Sequence, residues 1–77
     1  MKINYCVRNA VGNAMQKDYY FEKLDEAIEF AQKKSERDKR NVEVWHCREE
    51  GKLKICSKRL YLIRYDKGGI SRERVSA

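Results

Sequence analysis

The stretch Gly51–Tyr65, GKLKICSKRLYLIRY, decides the fold: Leu53, Ile55, Leu60, Leu62 and Ile63 are interleaved with Lys52, Lys54, Lys58, Arg59 and Arg64, and it holds no carboxylate. Alternation at period two sends neighbouring side chains to opposite faces of a strand, so one set is expected in a core and the other facing a partner. At Ser57-Lys58-Arg59 the alternation breaks, which reads as a bulge or irregular corner before the strand resumes over Leu60–Tyr65.

Immediately upstream, Val42–Arg48 (VEVWHCR) reads as the pairing strand and Glu49-Glu50-Gly51 as the connection. Two registers are open. If Glu50-Gly51 is a two-residue turn, Arg48 faces Leu53 and Trp45 faces Cys56. If Glu49-Glu50-Gly51 is a three-residue loop with Gly51 left-handed, Trp45 pairs with Ile55, Cys47 with Leu53, Val44 with Cys56 and His46 with Lys54. The second is the one expected, because it gathers Trp45, Cys47, Leu53 and Ile55 on one inward face and turns His46, Lys52, Lys54 and Lys58 outward.

Further back the period changes. Leu24, Ala27, Ile28 and Ala31 fall at i, i+3, i+4 and i+7, with Phe30 at the edge and Phe21 just ahead, which predicts an amphipathic helix over 24–39. Asp25, Glu26 and Glu29 at its start and Lys39 and Arg40 at its end suit the helix dipole, and Glu29/Lys33 and Glu36/Arg40 are i, i+4 pairs. Lys23 is a poor N-cap, and Asn41 is the expected stop. Before the helix, Lys2–Arg8 alternates as a half-buried strand, Asn9–Asn13 (NAVGN) is turn-rich, and Met15–Phe21 reads either as a returning strand or as a loop into the helix.

The expected architecture is α+β: one amphipathic helix packed on a small, mostly antiparallel sheet of three to five strands, in the order strand, possible strand, helix, then two or three strands. Residues 1–69 form the single domain and 70–77, ISRERVSA, a polar tail that is either mobile or adds a short edge strand.

With 77 residues there is room for one domain with a thin core. The charged fraction of 39% is well above the roughly 25% of ordinary globular chains. No apolar run is long enough to span a bilayer and Met1-Lys2-Ile3 leads straight into a strand pattern, so the expectation is a cytoplasmic protein without a membrane or a signal peptide. Net charge is +6, divided as +2 over residues 1–40 and +4 over 41–77. That balance favours polyanionic partners and argues against an acidic imitation of DNA, although a charge of this size also serves solubility alone.

Cys6, Cys47 and Cys56 are odd in number and widely spaced, which favours reduced structural thiols over a disulfide framework. His46 next to Cys47 points to the opposite face of a strand, which makes joint metal chelation awkward, so neither a metal nor a cofactor is expected. His46 is the single histidine and no spacing ties it to a nucleophile and an orienting group; Gly68-Gly69 lacks the spacing of a phosphate loop. The chain therefore reads as non-enzymatic.

What remains is basic and aromatic. Lys52, Lys54, Lys58, Arg59 and Arg64, interleaved with Tyr61 and Tyr65 and joined by His46, are the candidate partner-binding residues. Cations neutralise phosphates and aromatic faces stack on bases, but lysines on an outer strand also block sheet aggregation, and tyrosine is a favoured strand residue. In format, a short chain with one helix of the LDEAIEFAQKK kind beside VEVWHC and GKLKIC strands resembles small phage and mobile-element accessory proteins of the anti-CRISPR kind. That resemblance implies steric or electrostatic blocking of a host nucleoprotein complex. The leading expectation is a protein-binding module, with non-specific nucleic-acid binding through the same basic set as the alternative.

Overall fold

In the computed structural model, which describes residues 2–10 and 17–75, the alternating N-terminal segment forms β1 (Tyr5–Asn9) and the tyrosine-rich return forms β2 (Tyr19–Phe21). Helix α1 (Leu24–Asp38) follows, then β3 (Val42–Glu50), β4 (Leu53–Asp66) and β5 (Gly69–Arg74). The strands make one antiparallel sheet in the order β2-β1-β3-β4-β5, so the expected α+β architecture is the one that forms. Of the NAVGN turn, Val11 to Asn13 lie outside the described residues, as does Met15 of the returning segment. None of the helices among the described residues is long and apolar enough to cross a membrane.

Helix α1 lies on one face of the sheet because its stripe is narrow and small. Ala27 and Ala31, both fully buried, let the helix backbone approach Val7, Val42, Val44 and Ile63, which form the core. Phe30 sits between the rings of Tyr19 at 4.8 Å and Phe21 at 5.1 Å, extending the core under the β2 edge. Lys23 occupies the N-cap without a side-chain bond, as its chemistry dictates. The exit differs from expectation. Lys39, not Asn41, stops the helix by taking the left-handed conformation (φ 55°, ψ 46°), and its amide donates to the Ser35 carbonyl. Asn41 instead bridges strands: its side-chain oxygen accepts from the Tyr65 amide at 2.9 Å and its carbonyl from the Ala10 amide at 3.0 Å. Arg40 therefore lies past the helix, and the ion pairs that form are Glu29–Lys33, Lys34–Asp38 and Arg37–Asp38.

The hairpin between β3 and β4 follows neither expected register. Its turn residues are Gly51 and Lys52, so Glu50 pairs with Leu53, Glu49 with Lys54, Arg48 with Ile55 and Cys47 with Cys56. Gly51 has φ 61° and leads the turn, the position where a II′ hairpin needs positive φ, instead of closing a three-residue loop. Beyond Cys56 the pairing shifts twice, leaving Ser57 and Leu60 as extra residues on β4, so that His46 meets Lys58, Trp45 meets Arg59 and Val44 meets Tyr61. Each extra residue reverses the alternation on β4. The break expected at Ser57-Lys58-Arg59 is present, and with the second shift at Leu60 it sets which β4 residues share a face with Trp45 and Cys47.

The inward and outward assignments change accordingly. Val7, Val44, Tyr61, Ile63 and Tyr65 share the helix side with His46 and Lys58. Trp45 and Cys47, expected in the core under the helix, lie on the opposite, open face with Cys6, Arg8, Tyr20, Glu43, Lys54, Cys56, Arg59, Leu62 and Arg64. Leu53, also expected inside, is 67% exposed at the hairpin end, and Ile55 is half-buried.

Of the two readings of the C-terminal segment, the edge strand forms. β5 pairs with β4 from Asp66↔Gly69 to Tyr61↔Arg74, and the Val75 amide adds a bond to the Leu60 carbonyl. The boundary expected after residue 69 thus falls inside a strand pair.

Candidate functional site

Two features stand apart from the packed core. The first is the far end of the β3–β4 hairpin, where every residue from Arg48 to Lys54 is exposed. This arm contributes to a molecule measuring 42 × 29 × 20 Å. Arg48 bonds to Glu50 at 3.2 Å, Glu49 faces Lys54 across the strands, and Leu53 stands in the open beside Lys52. The arm is therefore close to balanced in charge and carries an apolar tip.

The candidate partner-binding residues do not form one patch. Lys52 is in the turn. Lys54, Arg59 and Arg64 lie on the open face, with the Lys54 ammonium 5.1 Å from the centre of the Tyr20 ring. His46 and Lys58 face each other on the helix side, His46 edge-on to Tyr5 at 5.9 Å. Tyr61 packs against the core and takes the Arg72 guanidinium over its ring at 5.7 Å, while Tyr65 lines a shallow hollow of about 380 Å³ with Asn9, Ala10, Lys39, Arg40 and Asn41. Two of the arginines are committed inside the molecule: Arg59 donates to Glu43 at 2.5 Å and Arg64 to Glu73 at 2.7 Å.

The second feature lies on the open face where β1, β3 and β4 run side by side. Cys6, Cys47 and Cys56 bring their Sγ atoms within 4.8 Å of one another. Cys47 and Cys56 share a thiol contact at 2.6 Å. Cys6 and Cys47 are 0% and 1% exposed although α1 packs on the opposite face of the sheet. A guanidinium lies against Cys6 and Cys56. Arg8 Nη2 donates to Cys56 Sγ at 3.0 Å, lies 3.6 Å from Cys6 Sγ and 3.1 Å from Asp18 Oδ2, and its head sits 5.5 Å from the centre of the Trp45 ring. Arg8 Nε is buried without an acceptor among the described residues.

Burial sets the chemistry of this cluster. It pushes the Cys6 thiol up to about 11, against the opposing hydrogen bond from Arg8. It pushes Cys47 up as well, with the neighbouring Cys56 adding to the effect. The Tyr20 phenol rises to about 12 through burial and the negative potential of Cys6 and Asp18. Free of other ligands, the buried thiols are protonated near neutral pH and poor nucleophiles.

Sequence spacing missed this convergence. His46 does point away from Cys47, as alternation requires, but the partners of Cys47 are the two cysteines on the adjoining strands. The available signal was the nine-residue separation of Cys47 and Cys56, which places them opposite each other only when the turn is centred between Gly51 and Lys52.

No protein-family model matches the chain, and neither curated proteins nor solved structures match it.

Proposed function

We propose that the chain is a small non-enzymatic binding protein that acts through protein–protein contact, with the β3–β4 arm as its working surface. The observation that carries this reading is the contrast between spent cations and a bare apolar tip. Arg8, Arg48, Arg59 and Arg64 each hold a carboxylate of the same molecule, whereas Leu53 is 67% exposed at the end of an arm whose charges nearly cancel. A phosphate-binding groove needs cations available for exchange with counterions; a protein interface needs an anchor residue and a polar rim. Lys52, Lys54, Lys58 and His46 supply that rim. The resemblance in format to accessory proteins of mobile elements supports an inhibitor of a host nucleoprotein defence complex, in the manner of an anti-CRISPR protein.

The net charge of +6 keeps non-specific nucleic-acid binding as the second reading. Salt separates the two. The full chain is used to capture partners from host lysate with and without nuclease, and retention is followed as salt rises. A protein contact survives nuclease and weakens little between ~50 and ~200 mM salt, whereas binding through six or more phosphate contacts falls by about 10³-fold or more. Loss of all partners on nuclease treatment overturns the protein-contact reading.

A further inference from the structure

Cys6 on β1, Cys47 on β3 and Cys56 on β4 come from three adjacent strands and converge on the open face, their Sγ atoms within 4.8 Å of one another. In a zinc–thiolate site with bonds of about 2.3 Å, the sulphurs stand about 3.8–4.0 Å apart. The observed cluster brackets that spacing, from 2.6 Å between Cys47 and Cys56 to the 4.8 Å limit, so side-chain rotation alone brings all three to bonding distance. The backbones that carry them are fixed by the sheet ladder and need not move.

The surroundings suit a bound cation better than three neutral thiols. A thiol sulphur is a weak acceptor, yet the permanently charged Arg8 lies against two of them and leaves its buried Nε unmatched. Thiolates on a metal are strong acceptors for the same guanidinium, and donors to the sulphurs of this kind tune and hold metal–thiolate sites. Charge points the same way. Three thiolates around a divalent ion leave an excess of one negative charge directly beside the Arg8 guanidinium, which Asp18, at 3.1 Å, holds in place.

We propose that Cys6, Cys47 and Cys56 form a three-thiolate site for a thiophilic d¹⁰ cation, zinc(II) or copper(I), with Arg8 donating to the sulphurs. Soft thiolate donors select these ions over magnesium or calcium. Zinc(II) takes water in its fourth position, and copper(I) is content with three sulphurs. The site ties β1 to β3 and β4 across fifty positions of sequence, a staple of the sort that a short chain with a thin core gains most from. This inference is independent of the binding role of the hairpin arm.

The test uses the full chain, metal-stripped and reduced with a phosphine in the absence of oxygen. Cobalt(II) serves as the optical probe. The expected result is one equivalent bound, with thiolate-to-cobalt charge-transfer absorption and the visible bands of a tetrahedral ion, displaced stoichiometrically by zinc(II). A parallel titration with copper(I) against a copper(I) chelator decides which ion is held more tightly. Zinc(II) or copper(I) is also expected to raise the thermal unfolding midpoint. Cys56→Ser, at the half-buried position and therefore the variant best placed to fold, abolishes both the charge-transfer band and the midpoint shift. Arg8→Gln retains the band and weakens zinc binding about 10–100-fold. The proposal is overturned if the reduced, folded wild type shows no band and no midpoint shift with either ion, or if Cys56→Ser binds as tightly as the wild type. It is also overturned if the isolated protein carries a Cys47–Cys56 disulfide and, once reduced, takes up no metal.

Discussion

Arg59 Nη1 donates to Glu43 Oε2 at 2.5 Å across the β3–β4 pair, and the other oxygen of Glu43 accepts from Trp45 Nε1 at 3.2 Å. The Glu43 side chain is only 9% exposed, so this arginine is the counterion of a nearly buried carboxylate. Removing it leaves that carboxylate, among the described residues, with the indole alone, and losing the partner of a buried charged group costs about 1–3 kcal/mol. Arg59→Gln is therefore expected to lower the urea midpoint, and a double-mutant cycle with Glu43→Gln should give a coupling of about 0.5–3 kcal/mol. Independent, additive effects would remove the pair from the account of the open face. Charge reversal at Arg59 sets two carboxylates against each other, so it tests the fold and not the partner.

The Lys34–Asp38 pair makes the acid limb of stability readable. Hydrogen bonds from Lys34 and then Arg37 lower the Asp38 pKa from 3.8 to about 2. Folding thus favours the ionised form, so the contribution is complete above about pH 4 and is lost as pH falls through 2. Asp38→Ala is expected to flatten this part of the pH–stability curve. It also strands a lysine whose side chain is 9% exposed, which lowers neutral-pH stability by about 1–3 kcal/mol. Lys34→Met, which keeps an unbranched apolar chain at this buried position and removes the charge, should restore most of that loss in the Asp38→Ala background. Urea titrations between about pH 2 and 7 on the wild type, Asp38→Ala and the double variant measure both effects.

Two left-handed residues predict opposite outcomes. Lys39 holds φ 55° with an exposed side chain, and Gly51 holds φ 61° with open space where a Cβ would stand. The left-handed backbone costs a non-glycine residue about 1–2 kcal/mol. Lys39→Gly should stabilise by up to about 1 kcal/mol, while Gly51→Ala should destabilise by about the same amount without any steric clash. Thermal midpoints that move in the same direction for both would contradict this assignment.

The local grammar of the sequence carried much of the fold. The stripe of Leu24, Ala27, Ile28 and Ala31 defines α1 because its period is set by the helix itself, and alternation in Lys2–Arg8 and Val42–Arg48 marks β1 and β3. The register was not legible, since it turns on a one-residue difference in where Gly51 sits in the turn and on two extra residues, Ser57 and Leu60, that leave no compositional mark. That single uncertainty moved Trp45 and Cys47 to the open face. With the register unknown, Cys6, Cys47 and Cys56 are merely distant in sequence. The ion pairs of Arg59 and Arg64 are long-range in the same sense, their carboxylates lying on β3 and β5, so a basic stretch on paper is partly neutral in three dimensions.

Leu53 gives the sharpest test of the hairpin arm. At 67% exposed it contributes little to the core, so Leu53→Asp should change stability by no more than about 0.5 kcal/mol. If the arm docks a protein, the same substitution places a carboxylate in a desolvated anchor pocket and is expected to cost at least about 2 kcal/mol, roughly 30-fold in affinity. Val44→Asp, on a fully buried core position, serves as the contrast and should unfold the domain. Chemical denaturation and partner binding are measured on the same preparations. A Leu53→Asp protein with wild-type stability and wild-type partner affinity would move the working surface away from the arm. Charge reversal at Lys52 and Lys54 would then become the decisive variant for a nucleic-acid contact.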